Sequence, residues 1–158
     1  MKRGQSAMEF LITYGWAIII MLSVIAILFY LGVFNPKTIA PASCVFPAGF
    51  ACQGYKIETG GGMNGVLSLV LVQNTGHTLR ITEIACTDGD PSYSTVDERI
   101  YDGGRLTMTV TCHKQDGSTP NAGEYFKGNV YLAYVDEDTN IEHRAVGEIA
   151  YRVEESLS

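Results

Sequence analysis

The residues best suited to covalent chemistry are the four cysteines of the chain, Cys44, Cys52, Cys86 and Cys112. All four follow the apolar N-terminal region, and an even number of cysteines in an extracytoplasmic segment favours disulfides. Of the three pairings that four cysteines allow, we expect Cys44–Cys52 and Cys86–Cys112, because each closes a short loop. Chain-entropy arithmetic assigns roughly 2.5 and 3.5 kcal/mol to these bonds. The alternative is a zinc site, which is disfavoured because no C-x-x-C sequence occurs and the histidines are dispersed.

A second group of residues could bind a metal ion: Asp136, Asp138 and Asn140 have the spacing of the first calcium ligands in an EF-hand loop. The rest of that pattern is missing, since Ile141 stands where the loop needs glycine and Gly147 where it needs a bidentate glutamate. We therefore expect a hairpin turn, with a weak calcium contact as the alternative. Three side chains are expected on the surface: His77, His113 and His143. The sequence predicts no metal centre and no cofactor.

Motifs for catalysis are missing from the sequence. It contains no G-x-S-x-G, no H-E-x-x-H and no glycine-rich phosphate loop. The glycine run at residues 60–62 is not followed by G-K-[ST], so it predicts a flexible turn. We expect that the chain is not an enzyme.

Glu9 has an unusual position for a carboxylate, because an apolar run begins directly after it. Residues 10–34 contain no charged side chain, and about 20 helical residues are enough to cross a bilayer core. Two basic residues precede the run, so the N-terminus is expected on the cytoplasmic side. No A-x-A cleavage site follows the run, and Pro36 is expected to end the helix. The sequence thus predicts one hydrophobic helix over residues 5–36, with the rest of the chain facing outward.

The string KRGQSAMEFL resembles the class III signal peptide of archaeal type IV pilins, the QSAMEF-type prepilins. It shares the basic stretch of that family, a glycine before the cleavage point and a glutamate at the fifth mature position. The resemblance implies that a prepilin peptidase cuts between Gly4 and Gln5 on the cytoplasmic side. Residues 1–4 would then be a cleaved leader, and Glu9 would be the fifth mature residue. The basic residues of this leader are Lys2 and Arg3.

The same resemblance implies a structural subunit of an archaeal surface filament used for adhesion or cell contact. The helix would anchor the precursor in the membrane and later pack with copies of itself in the filament core. The implied partners are a homopolymer of this chain, the peptidase, and an assembly ATPase with its membrane platform. A carboxylate buried in that core needs a partner, so Glu9 would accept a hydrogen bond from the α-amino group of a neighbour's Gln5. Tyr14 and Trp16 would pack between helices.

Other interpretations of the N-terminal region stay open. Glu9 at headgroup level, with Tyr14 and Trp16 in an aromatic belt, would describe a simple anchor. The chain would then be a single-pass surface binding protein that never polymerises. An archaellin-type motility subunit is a further alternative, although glutamate at the fifth mature position favours the pilin branch.

The outward part, residues 37–158, is acidic and predicts one β domain. It carries 16 acidic and 9 basic side chains, a net charge of −7, which argues against binding nucleic acid. Residues 37–56 follow directly on Pro36 and hold two further prolines and two cysteines with little periodicity, so we expect a linker or cap with a disulfide loop. Residues 57–158 are expected to form an Ig-like β-sandwich head, because short apolar runs alternate with turn signals. The expected strands are 66–73, 78–86 with a bulge near Thr82 and Glu83, 105–112, 129–135 and 145–153.

Overall fold

The computed structural model describes residues 3–34 and 40–156, and these form parts of two compact units, Met1–Ala40 and Pro41–Ser158. The first unit contains helix α1, Arg3–Tyr30. The second is mostly strand. Its strands are β1 Ser43–Val45, β2 Phe50–Gly60, β3 Met63–Gln73, β4 Leu79–Thr87, β5 Ser94–Ile100, β6 Arg105–His113, β7 Tyr125–Asp136, β8 Ile141–Arg152 and β9 Glu154–Glu155.

Helix α1 ends earlier than the sequence suggested. Its last residue is Tyr30, and Gly32 adopts the left-handed conformation with φ 69°. The N–H of Gly32 bonds the carbonyl of Phe29, and the N–H of Val33 bonds the carbonyl of Leu28, which is the pattern of a Schellman motif. The expected helix end at residue 36 is therefore wrong, because a glycine able to adopt positive φ stops the helix before the proline does. Residues 35–39 lie outside the described part of the chain.

The nine strands of the second unit form one curled sheet in the order β1-β8-β7-β4-β6-β3-β2-β9, with β5 paired to β4. Two groups of strands, β1-β8-β7-β4-β5 and β6-β3-β2-β9, are antiparallel within themselves except for the short parallel pair β2 and β9. Among the described strands, the two groups pair with each other only where β4 and β6 run parallel, at Cys86 with Cys112 and at Thr87 with His113. This narrow junction lets the sheet curl around a core.

That core is formed by one face of each long strand. Leu67, Leu69 and Leu71 of β3 are fully buried, while the residues between them are half-buried. Ile81 and Ile84 of β4 are also fully buried. The register of β4 shifts between Ile81 and Glu83 against both neighbouring strands, so the bulge expected near Thr82 is confirmed. The bulge explains how two isoleucines three positions apart reach the same core.

The N-terminal end of the β unit differs from the irregular cap expected over residues 37–56. The unit begins at Pro41, β1 pairs with β8, and β2 starts at Phe50, so the expected boundary at residue 57 falls inside a strand. A register shift between Cys52 and Gly54 interrupts the alternation of β2, which hid the strand in the sequence.

Two disulfides, Cys44–Cys52 and Cys86–Cys112, hold the β unit, and they are the pairs that the sequence favoured. The first links β1 to β2 with a Cα–Cα distance of 6.0 Å. The second links β4 to β6 at their parallel junction with a Cα–Cα distance of 4.5 Å. Each bond therefore joins one group of strands to the other.

Candidate functional site: the exposed apolar helix

Most of the described surface of α1 is apolar. The stretch Met8–Tyr30 is 23 residues long, has a mean hydropathy of 2.4, and has none of its most apolar window buried. Its length is sufficient to cross a bilayer. Exposed apolar surface of this extent marks a contact with lipid or with other protein. The helix therefore requires a covering that the described residues of the chain do not supply.

Glu9 is the one charged residue within residues 8–34, and it is exposed. Two hydroxyls of the helix are satisfied internally: Thr13 Oγ1 donates to the carbonyl of Glu9 at 2.7 Å, and Ser23 Oγ donates to the carbonyl of Ile19 at 2.7 Å. Among the described side chains, none donates to the Glu9 carboxylate. It is therefore the group of this helix that most needs a donor from outside once water is removed.

Helical spacing places two hydroxyl side chains and the tryptophan of α1 on the same face as Glu9. Thr13, Trp16 and Ser23 follow Glu9 by four, seven and fourteen residues, and such positions lie above one another on a helix. Tyr14 lies on the opposite side, where its ring is 4.3 Å from that of Phe10. Of the three residues expected to act in assembly, the structure thus groups Glu9 with Trp16 and separates Tyr14.

The expected processing site lies at the beginning of α1. Gly4 and Gln5 fall in its first turn, Arg3 is its first residue, and Lys2 is outside the described residues. The N–H groups of a first helical turn lack intrahelical partners. The expected cleavage point therefore lies in a turn whose N–H groups the helix itself does not bond.

A polar cluster in the β unit brings together residues far apart in sequence. His77 Nδ1 lies 3.0 Å from Asp138 Oδ2 and 3.9 Å from Asp136 Oδ2. Asp136 Oδ1 accepts the N–H groups of Asp138 at 2.9 Å and Thr139 at 3.2 Å. Burial acts to raise the pKa of Asp136, but these two N–H donors and the nearby His77 together hold that pKa below its usual value. Asn140 has a φ of 55°, so the residues do form the hairpin turn expected between β7 and β8.

His77 could not be assigned to this turn from the sequence, because 59 residues separate it from Asp136. The three side chains offer atoms within 4.8 Å of one another, the separation that a metal ion would need. In the structure the carboxylate oxygens are instead used by backbone N–H groups and by His77. The cluster fastens the β7–β8 turn to the segment before β4.

An open cavity of about 400 Å³ lies beyond the Cys86–Cys112 junction. Two loops that the sequence could not place together form it, one after β4 and one after β6. Of its lining, Lys114 Nζ is held 3.2 Å from Glu124 Oε2, and His113 Nδ1 lies 3.3 Å from the Gly117 carbonyl. These contacts brace the loops at this end of the sheet.

No protein-family model matches the chain, and comparison with curated proteins finds no match. The class of molecule is therefore defined by its own architecture. It is an N-terminal apolar helix, exposed and long enough to span a membrane, followed by a mostly β unit with two disulfides. Disulfides of this kind belong to an oxidising, extracytoplasmic environment.

Proposed function

We propose that the chain is the structural subunit of an archaeal type IV pilus-like filament on the cell surface, with a role in adhesion or cell contact. The observation that carries this proposal is that the apolar side chains along α1 are exposed, with one carboxylate near the N-terminus of the helix. A membrane anchor needs only the apolar surface. A helix that leaves the membrane must be covered by other helices, and copies of itself are the simplest covering.

The mature helix begins at Gln5 in this proposal, after a prepilin peptidase removes residues 1–4. The precursor waits in the membrane with its N-terminus in the cytoplasm and its β unit outside. An assembly ATPase and its membrane platform then transfer the helix from lipid into the filament core. Identical subunits joined by a heterologous contact that does not close produce a helical polymer.

Glu9 sets the register of this assembly. In the core its carboxylate is out of reach of water and headgroups, so it accepts from the new α-amino group of a neighbouring Gln5. Leaving a buried charge without its partner typically costs about 3–5 kcal/mol. Trp16 and Ser23 share the Glu9 face, so the same contact brings their side chains towards the neighbouring helix.

The β unit serves as the head that coats the filament, and we propose an Ig-like sandwich for it. The two groups of strands each contribute buried residues to one core, and both disulfides link one group to the other, which supports this architecture. Alignment of the two groups at an angle of about 30° would be expected for such a sandwich.

The mature N-terminus is the first test. Mass spectrometry of protein recovered from the cell surface should give a chain that begins at Gln5. An intact Met1 or a start near residue 37 would contradict the proposal, since either result means that the pilin-type peptidase does not act on this chain.

Substitution of Glu9 is the second test. Cells with Glu9→Ala should process the precursor normally and form few or no filaments in electron micrographs, while Glu9→Gln, which retains hydrogen bonding, should be milder. Met21→Leu is the control, because it changes an exposed apolar residue on another side of the helix with little change of size, and it should leave filament number unchanged. Normal filaments in Glu9→Ala cells would rule out the pairing role, and filament-free wild-type cells would favour the simple surface anchor.

A further inference from the structure

Strand β8 has an open edge along part of its length. β8 pairs with β7 over its whole length, Ile141 with Asp136 through Arg152 with Tyr125. On its other side, β1 pairs only with Glu148, Ile149 and Ala150. Within the described part of the chain, the backbone of residues 141–147 therefore has no strand on that side. Exposed strand edges carry unpaired N–H and C=O groups and are templates for pairing with another chain.

The side chains along this edge alternate between two faces. Glu142 and Arg144 lie on one face, and Ile141, His143 and Ala145 lie on the other, which is the core face of β8. Ile141 stays 54% exposed although it points to that face, because the sheet ends there. Among the described residues, the Glu142 carboxylate forms no ion pair, and the Arg144 guanidinium lies 5.7 Å from the centre of the Tyr93 ring. The edge thus combines free backbone, an exposed apolar side chain and two opposite charges.

We propose that residues 141–145 pair with the same residues of a second copy, antiparallel and about a two-fold axis at His143. Glu142 of each copy then lies opposite Arg144 of the other, and Ile141 of each lies opposite Ala145. The interface is self-complementary, as a two-fold contact requires. Both charges gain an opposite partner across the strands, and the exposed isoleucine is covered.

The charges select this register over its neighbours. When the sheets of two copies join edge to edge, residues directly opposite one another lie on the same face of the combined sheet. Opposed residues must therefore be an even number of positions apart in the sequence, so the two-fold axis passes through a residue and not between two residues. An axis at Glu142 would place this carboxylate opposite itself, and an axis at Arg144 would place two guanidiniums together. Like charges directly opposite are destabilising, whereas opposite charges stabilise a cross-strand pair. Charged side chains often protect strand edges from pairing; in this sequence they permit pairing in one arrangement.

The neighbouring structure sets the length of the pairing. At the far end of the open edge, the Phe46 ring packs on Gly147 so closely that a Cβ there would lie 2.7 Å from it. A ladder centred on His143 ends at Ala145 and does not meet this ring. Five residues a side bury much less than the roughly 1,200 Å² of a stable interface. The pairing is therefore weak for one pair of molecules and strong only where many copies face one another.

That many copies of this edge face one another rests on the proposed function, since a filament presents its heads in a regular array. Paired edges would then bind filaments side by side or join filaments from two cells. The pairing itself depends only on β8, so it can be tested on the unassembled chain.

The experiment compares charge variants of the full chain by sedimentation equilibrium in density-matched non-ionic detergent, with micelles in large excess over protein. The wild type should self-associate. Glu142→Arg and Arg144→Glu alone should each raise the dimer dissociation constant about tenfold. An equimolar mixture of the two should associate at least as well as the wild type, because one edge is then wholly positive and the other wholly negative. The double variant with both substitutions should also recover.

Glu98→Arg is the matched control, because it makes the same charge change on β5, away from the open edge. It should leave association unchanged, and equal melting temperatures should show that every variant is folded. Wild-type chains that stay monomeric, single variants that associate like the wild type, or a mixture that does not recover would each overturn the proposal. None of these results depends on filament formation, so failure here and failure of the proposed function are separate outcomes.

Discussion

The two units of this chain distribute their apolar residues in opposite ways. In α1 the large apolar side chains from Met8 to Tyr30 are mostly exposed, while in the β unit Leu67, Leu69, Leu71 and Ile81 are fully buried. The β unit buries its apolar side chains against one another and is also cross-linked by two disulfides. The helix does neither. One unit is therefore complete as a folded body, and the other is complete only in lipid or among other helices.

This difference separates the forces that hold each unit. Burial of apolar surface from water stabilises the β unit, at about 25 cal/mol per Å². In lipid that driving force is absent between helices, and packing and polar contacts decide whether they associate. A substitution should therefore affect one unit and leave the other unchanged.

The largest effect should come from a charge in the middle of α1. Ile20→Arg should weaken membrane insertion by about 3–4 kcal/mol, because arginine at the centre of a membrane helix is unfavourable and isoleucine is favourable. The measurement is the fraction of protein that stays with membranes after alkaline extraction. Ile20→Leu is the control and should insert normally. If Ile20→Arg also lowered the melting temperature of the β unit, the separation of the two units would be contradicted.

Removal of the disulfides should give the next largest effect, confined to the β unit. Replacing Cys86 and Cys112 by serine together should lower the free energy of unfolding by about 3.5 kcal/mol, and replacing Cys44 and Cys52 together by about 2.5 kcal/mol, since the shorter loop constrains the unfolded chain less. Urea denaturation under oxidising conditions measures both. Membrane insertion should be the same as in the wild type. If the loss of Cys44–Cys52 lowered the free energy of unfolding more than the loss of Cys86–Cys112, strain or packing, and not loop length, would determine how much each disulfide stabilises the unit.

The smallest effect should be a change in the pH dependence of stability at Tyr151. Its hydroxyl donates to Glu154 Oε1 at 2.5 Å, and this bond, with burial second, raises the pKa of Tyr151 to about 12. The unfolded pKa is about 10, so this contribution is complete below pH 10 and is lost as the pH rises towards 12. Tyr151→Phe, which keeps the ring packed near Tyr55, should flatten the stability curve in that window.

Urea titrations at several alkaline pH values measure this change, with Tyr125→Phe as the control. The same bond lowers the pKa of Glu154, so its acid-side contribution is present above the unfolded pKa of about 4.3 and is lost as the pH falls below it. Glu154→Gln should therefore reduce the loss of stability at acid pH. It should also bring the titration of the Tyr151 phenol, followed by absorbance, back towards pH 10. If Glu154→Gln leaves the Tyr151 titration unchanged, a group other than Glu154 raises the pKa of Tyr151.

The sequence predicted those elements in which local pattern and tertiary position agree. The uncharged run at residues 10–34 required a helix, and the phase slip at Thr82 required a bulge. The cysteine pairs were predictable because each joins residues close in sequence. The end of α1 was not, since Gly32 acts through a backbone conformation that composition does not reveal.

Strands held by distant partners were the ones that the sequence missed. β5 has Asp97, Glu98 and Arg99 in succession and no apolar alternation, because it lies at an edge and pairs only with β4. β1 is three residues long and depends on β8. In the candidate site, Glu9 could be identified from its charge alone. The open edge of β8 could not, because it is defined by where β1 stops.

The position of the Cys44–Cys52 bond has a mechanical consequence for the β unit, whose chain enters it from the side of α1. Any pull transmitted through the anchor enters the β unit at Pro41 and reaches β1 within two residues. A short edge strand would be peeled away from β8 one hydrogen-bond pair at a time. The load passes instead through the covalent bond at Cys44 into β2, an eleven-residue strand that pairs with β3 along its length. Extension of the β unit under tension is thus limited to the few residues before Cys44, and the unit can carry force without unravelling from its N-terminal end.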